Sequence, residues 1–150
     1  MPRGCLAFGV ALGAAALAGA REAGAQGAAA AVPTPSQVLG FDVGADRTLA
    51  DWGQITRYFS TLAAASPRVR VDTLGATTQG RPMVMATITS PANLRRLEEI
   101  RRAQARLADP RGLSAAEEAR LIAEQPAVVM ISCNIHSTEI GSSQMAMELA

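Results

Sequence analysis

Between Pro126 and Cys133 the chain runs through Ala127-Val128-Val129-Met130-Ile131-Ser132 without a charge. A short, uninterrupted apolar run of β-branched residues lacks the alternation of a strand with one wet face. It matches a central strand covered on both sides, as found in sheets flanked by helices. That stretch points to the α/β class, a sheet flanked by helices.

The preceding residues fit that architecture. Leu49, Trp52, Ile55, Phe59 and Leu62 recur at three- and four-residue steps, predicting a helix capped by Asp46 or Thr48 and ended by Ser66-Pro67. Val69, Val71 and Thr73 alternate with Arg68, Arg70 and Asp72, predicting a strand. Thr77-Thr78-Gln79-Gly80 reads as a turn into a second strand over Met83–Thr89, which makes a hairpin. Ser90-Pro91 opens a helix with a stripe of Leu94, Leu97 and Ile100, broken at Asp109-Pro110-Arg111-Gly112. Ser114-Ala115-Ala116-Glu117 has the spacing of a capping box for the next helix, which Pro126 stops. Residues from about Glu139 to Ala150 are helix-compatible again.

The N-terminal part reads differently. Arg3 is followed by an uncharged apolar segment from Leu6 to Leu17, then by the small-x-small sites Ala18-Gly19-Ala20 and Ala23-Gly24-Ala25. This order is that of a signal peptide over residues 1–25, too short to span a bilayer, and implies a secreted or periplasmic protein with no integral membrane span after cleavage. Losing Arg3, Arg21 and Glu22 with it takes the formal charge from +1 to zero. Residues 26–46, rich in Ala, Pro and Gly, read as a linker. Cleavage leaves Cys133 alone, so the mature chain has no internal disulfide, and Cys133 reads as a small core residue.

Charge and composition exclude some partners. All cationic side chains are Arg, but Glu98 and Glu99 interleave with Arg95, Arg96, Arg101 and Arg102, which makes that helix face a solvated one. Aromatic residues are 3% of the chain, too few for a base-stacking surface, so no nucleic acid partner is expected.

The chemistry-bearing stretch is Cys133-Asn134-Ile135-His136-Ser137-Thr138-Glu139, between the apolar run and the last helix. His136 is the chain's one histidine. An imidazole and a carboxylate three residues apart suit zinc, yet a catalytic zinc takes three protein ligands and an open position. Spacing alone leaves a hydrogen-bonded structural His136 and a helix-start Glu139 equally open. No Gly-x-Ser-x-Gly elbow accompanies Ser137, Ser142 or Ser143, so a serine nucleophile has no support.

In order, the leading helix ending at Ser66-Pro67, the stretch Leu74-Gly75-Ala76-Thr77-Thr78-Gln79-Gly80-Arg81-Pro82 and Ile135-His136-Ser137-Thr138-Glu139 resemble the zinc carboxypeptidases of the carboxypeptidase A type. The resemblance covers residues 47–150 and implies the N-terminal part of a peptidase domain, truncated at its C-terminus, with a partial mixed β-sheet and flanking helices. It implies Zn²⁺ held by His136 and Glu139, with a second histidine as third ligand and a general-base glutamate both outside this chain. Peptide substrates and metal-assisted hydrolysis follow from it, with Ser137, Ser142 and Ser143 supporting the loop or starting the helix. It departs from the family at Thr138, where many members carry an arginine, and in the length of the helical stretch 91–125. Two alternatives share the pattern: a zinc amidohydrolase of the aspartoacylase type, and a secreted, non-catalytic binding domain of the same fold.

Overall fold

The computed structural model describes residues 31–150, so the signal-peptide reading and the start of the linker lie outside the described residues. The described part is α/β: six helices and one two-stranded antiparallel sheet.

The stretch expected as a linker holds the first helix, α1, over Pro35–Leu39. Thr34 and Gln37 form a reciprocal capping box: Gln37 N–H donates to Thr34 Oγ1 at 3.3 Å, and Thr34 N–H donates to Gln37 Oε1 at 2.9 Å. Pro35 sits in the first turn, where its missing N–H costs no hydrogen bond. Gly40 ends the helix at φ +82°, a backbone region open to glycine at little cost. Leu39 is buried in the main core, and Val38, Phe41 and Val43 pack against it. Those apolar side chains, diluted among Ala, Gly and Pro in the sequence, are what turn the linker into part of the fold.

Helix α2 spans Trp52–Ala65. It buries Ile55, Tyr58, Phe59 and Leu62, one face at helical spacing. Its start differs from expectation. Asp51 is the cap, with Gln54 N–H donating to its Oδ1 at 2.7 Å and its own N–H donating to Gln54 Oε1 at 2.8 Å. Asp46 and Thr48 instead belong to a turn in which Arg47 has φ +55° and the Thr48 hydroxyl donates to Asp46 O. Leu49, left outside the helix, is 56% exposed. At the other end Ser66 N–H donates to Leu62 O, and Pro67 offers no donor to continue the ladder.

The hairpin forms as its alternation predicts. Strands β1 (Val69–Ala76) and β2 (Pro82–Ile88) pair antiparallel, with Val69 opposite Ile88 and Val71 opposite Ala86. A register shift between Thr73 and Gly75 marks a bulge. The turn closes through Gly80 N–H to Thr77 O at 2.9 Å and Thr77 N–H to Arg81 O at 2.8 Å. Val69 joins the α2 core, and Trp52 Nε1 donates to Pro82 O at 3.0 Å, tying the helix start to β2.

Ser90 caps the short helix α3 (Pro91–Arg95), accepting from Asn93 N at 3.2 Å, and α4 (Leu97–Ala108) follows after a break at Arg96. Helix α5 (Ala115–Glu124) packs against α4, with Ile100, Ala103 and Leu121 as their buried residues. Only the hydroxyl half of the Ser114 capping box is made. The Glu117 carboxylate lies 3.9 Å from Arg106 instead. Glu98 binds both Arg101 and Arg102, hydrogen bonds that hold its carboxyl down at about 2. Arg96, Arg101 and Arg102 of this face are therefore partnered by Glu98 and Glu99, in keeping with a solvated surface.

The apolar run Ala127–Ser132 is not a strand. Val128, Val129, Met130 and Ile131 are 62%, 83%, 85% and 53% exposed. A central strand needs hydrogen-bonding neighbours along both edges as well as helices over both faces, and the described sheet contains β1 and β2 alone. The final helix, α6 (Ile140–Leu149), packs on α2 and inserts Met147, 1% exposed, among Leu39, Ile55, Tyr58, Phe59, Leu62 and Val69. Gln144, buried on the same helix, accepts Gly44 N–H at 3.1 Å. These two contacts fix α6, and with it the loop that precedes it. No helix among the described residues is long and apolar enough to cross a membrane.

Candidate metal centre

The loop into α6 is built by local hydrogen bonds. Asn134 has φ +57°, a left-handed conformation that asparagine tolerates better than most residues. It reverses the chain after the exposed run. Its N–H donates to Ser142 Oγ at 3.0 Å, and its side-chain Oδ1 accepts from the hydroxyls of Ser142, at 2.7 Å, and of buried Ser143. Ser142 Oγ also lies 2.8 Å from Glu139 O. With one hydroxyl hydrogen it donates to either acceptor in turn.

His136 and Glu139 come together across the turn. Glu139 Oε1 lies 2.6 Å from His136 Nδ1, and Glu139 Oε2 accepts His136 N–H at 3.2 Å. Glu139 N–H donates back to His136 O at 3.1 Å. Glu139 precedes α6 at the N-cap position but makes no side-chain capping bond; its carboxylate is committed to His136. The His136 side-chain hydrogen bond, followed by the backbone one, holds the Glu139 carboxyl below its ordinary range. Both side chains are open to solvent, 73% and 49% exposed.

One borderline nitrogen donor and one hard oxygen donor, facing each other at the surface, fit two positions of a zinc ion. Ligand atoms at zinc bond lengths sit on the order of 3.3 Å apart across a tetrahedral angle. The pair, at 2.6 Å, therefore has to open slightly to admit an ion. Among the described residues no cluster of three or more His, Cys, Asp or Glu side chains is poised to hold a metal.

Sequence reasoning placed His136 and Glu139 correctly beside the last helix but expected a buried strand before them, where the chain is exposed. It read Ser142 and Ser143 as helix-start or supporting residues; both hold Asn134, which was not singled out. Asparagine two residues before the histidine was the signal, since it is among the few non-glycine residues that favour a left-handed turn. The Gln144–Gly44 bond joins residues 100 apart and has no local signature. Cys133 is half-buried with a free thiol, less enclosed than a core residue. Ser137 and Thr138 are exposed at the turn.

A family model described as zinc carboxypeptidase matches residues 55–150. No curated protein and no solved structure matches the chain.

Proposed function

This chain belongs to the zinc carboxypeptidase family, and on that premise we propose that it contributes two metal ligands, His136 and Glu139, to a zinc-dependent carboxypeptidase that hydrolyses peptide bonds. The carrying observation is the 2.6 Å approach of Nδ1 and Oε1 at the entrance to α6. Bound zinc supplies Lewis-acid polarisation of a scissile carbonyl and acidifies water at neutral pH.

The chain's own residues have simpler tasks. His136 presents Nδ1, and Glu139 turns both carboxylate oxygens toward it rather than toward the helix start. The exposure of both side chains leaves substrate and water free access. Ser142 holds Glu139 O and Asn134 Oδ1 within one hydroxyl's reach. Residues 1–150 hold no second histidine to serve as the family's third ligand, His136 being the sole one. The 150-residue chain by itself is therefore catalytically incompetent. The family match weighs for peptide substrates over the aspartoacylase-type reading. A secreted or periplasmic location, resting on residues 1–25, completes the proposal.

Titrating the chain with Zn²⁺ by calorimetry, and following the His136 ring by NMR wherever it is present, tests it. The ring resonances shift with zinc, and His136→Ala or Glu139→Gln weakens binding by about tenfold or more. Zinc binding unchanged in both variants overturns the site. Zinc-dependent peptide hydrolysis by the chain alone overturns its incompetence.

A further inference from the structure

We propose that Asn134 is a positioning residue: its side-chain oxygen, clasped by the Ser142 and Ser143 hydroxyls, sets His136 in register with Glu139. The inference rests on the metal-site reading for its purpose, but not for its geometry.

The two candidate ligands sit on a short turn with both side chains largely in water, so little packing holds them. Their mutual bonds alone form a three-residue loop that can detach as a unit from α6. What prevents this lies on either side. Glu139 is anchored by its position at the start of α6, which Met147 and the Gln144–Gly44 bond fasten to the core. His136 has no such anchor of its own. The chain before it is exposed through Val128–Ile131 and has no sheet partner among the described residues. Asn134 is the last residue before His136 whose side chain is bonded to the helix.

Three bonds converge there. Asn134 N–H reaches Ser142 Oγ at 3.0 Å, while Oδ1 accepts from Ser142 at 2.7 Å and from Ser143. Ser143 is 5% exposed on α6, so the acceptor is fastened to a buried group rather than to a surface rotamer. The amide carbonyl satisfies a buried hydroxyl that otherwise loses its partner. The left-handed backbone at φ +57° then directs Ile135 and His136 back over the first turn of α6. Residues 134 and 142 close the loop at its base and residues 136 and 139 close it at its tip.

This separates two roles for Asn134. If only the backbone conformation mattered, glycine would serve as well, because it adopts positive φ freely. If the side-chain oxygen matters, glycine fails and aspartate, which tolerates the same conformation and keeps the acceptor, succeeds.

The test uses the full chain without metal, then with Zn²⁺ as the sole probe. Amide exchange at His136 and Glu139 and the ¹⁵N shift of the His136 ring nitrogen facing Glu139 report the register directly. We expect Asn134→Gly and Ser142→Ala to speed exchange at these two amides by about tenfold, and to move the ring shift toward that of free histidine. Asn134→Asp restores both. Amides of α2 and the hairpin stay at wild-type rates, and zinc affinity falls and recovers with the ring shift. Wild-type behaviour in Asn134→Gly, failure of Asn134→Asp to restore it, or equal acceleration across the core overturns the proposal. If the wild-type chain ignores zinc, the metal reading fails, while the metal-free exchange and ring shift still decide the clasp.

Discussion

Single residues decide whether the loop that carries His136 and Glu139 has anything rigid beneath it. Met147 is the side chain through which α6 enters the core, and it is 1% exposed among side chains of α1, α2 and β1. Truncating it leaves a cavity bounded by Leu39, Leu62 and their neighbours. Met147→Ala should destabilise the fold by about 2–5 kcal/mol, measured by denaturant unfolding. A loss below 1 kcal/mol would mean that α6 is not anchored as described. At this scale the meeting of His136 with Glu139 was legible only in part: three-residue spacing at a helix entry lets the two side chains meet, as they do at 2.6 Å, but spacing alone did not separate a metal pair from a structural one. Gln144 and Met147 were not legible, since their partners lie far away in the chain and nothing local marks them.

Elements form where capping, periodicity and turn chemistry agree. In α2 the apolar stripe announced the helix, but several candidate caps precede it, and periodicity cannot choose among them. Asp51 wins because Gln54, three residues on, returns a hydrogen bond to its backbone, whereas neither Asp46 nor Thr48 forms such a pair. Replacing Asp51 with alanine should cost about 1 kcal/mol, visible in thermal melts, with Asp51→Asn recovering most of it. A comparable cost from Asp46→Ala would instead restore the earlier start. The hairpin was legible from strand alternation and the turn at Gly80, but the bulge between Thr73 and Gly75, which shifts its register, and the extension of β1 to Ala76 were not. The Ser114 cap was half legible: its hydroxyl bond forms, but Arg106, from another helix, draws Glu117 away.

The whole molecule presents an imbalance between what it buries and what it leaves in water. One core is built from α1, α2, β1 and α6, and α4 and α5 bury their apolar faces against each other, while the most apolar stretch of the described chain remains outside both. An extended apolar segment with unpaired backbone groups is a template for association with other chains. Light scattering of the wild-type chain should therefore show association that grows with concentration, and Val129→Lys should raise its onset by about tenfold. Because Val129 is 83% exposed, the same variant should keep its unfolding free energy within about 0.5 kcal/mol of wild type. Association unaffected by the lysine would remove this run as its cause.

Taken by itself, the sequence determined the α/β class, the existence of the hairpin, the helical character of residues 91–124 with its break at Asp109-Pro110-Arg111-Gly112, and the spacing that lets His136 and Glu139 meet. All of these rest on contacts between residues near one another in the chain, where spacing and side-chain chemistry are sufficient. Tertiary structure decided that Pro35–Leu39 joins the core, that Gln144 and Met147 hold the last helix, and that the run after Pro126 lies open. Those outcomes depend on which distant surface is available to cover an apolar side chain or receive a backbone hydrogen bond, and no local pattern carries that information.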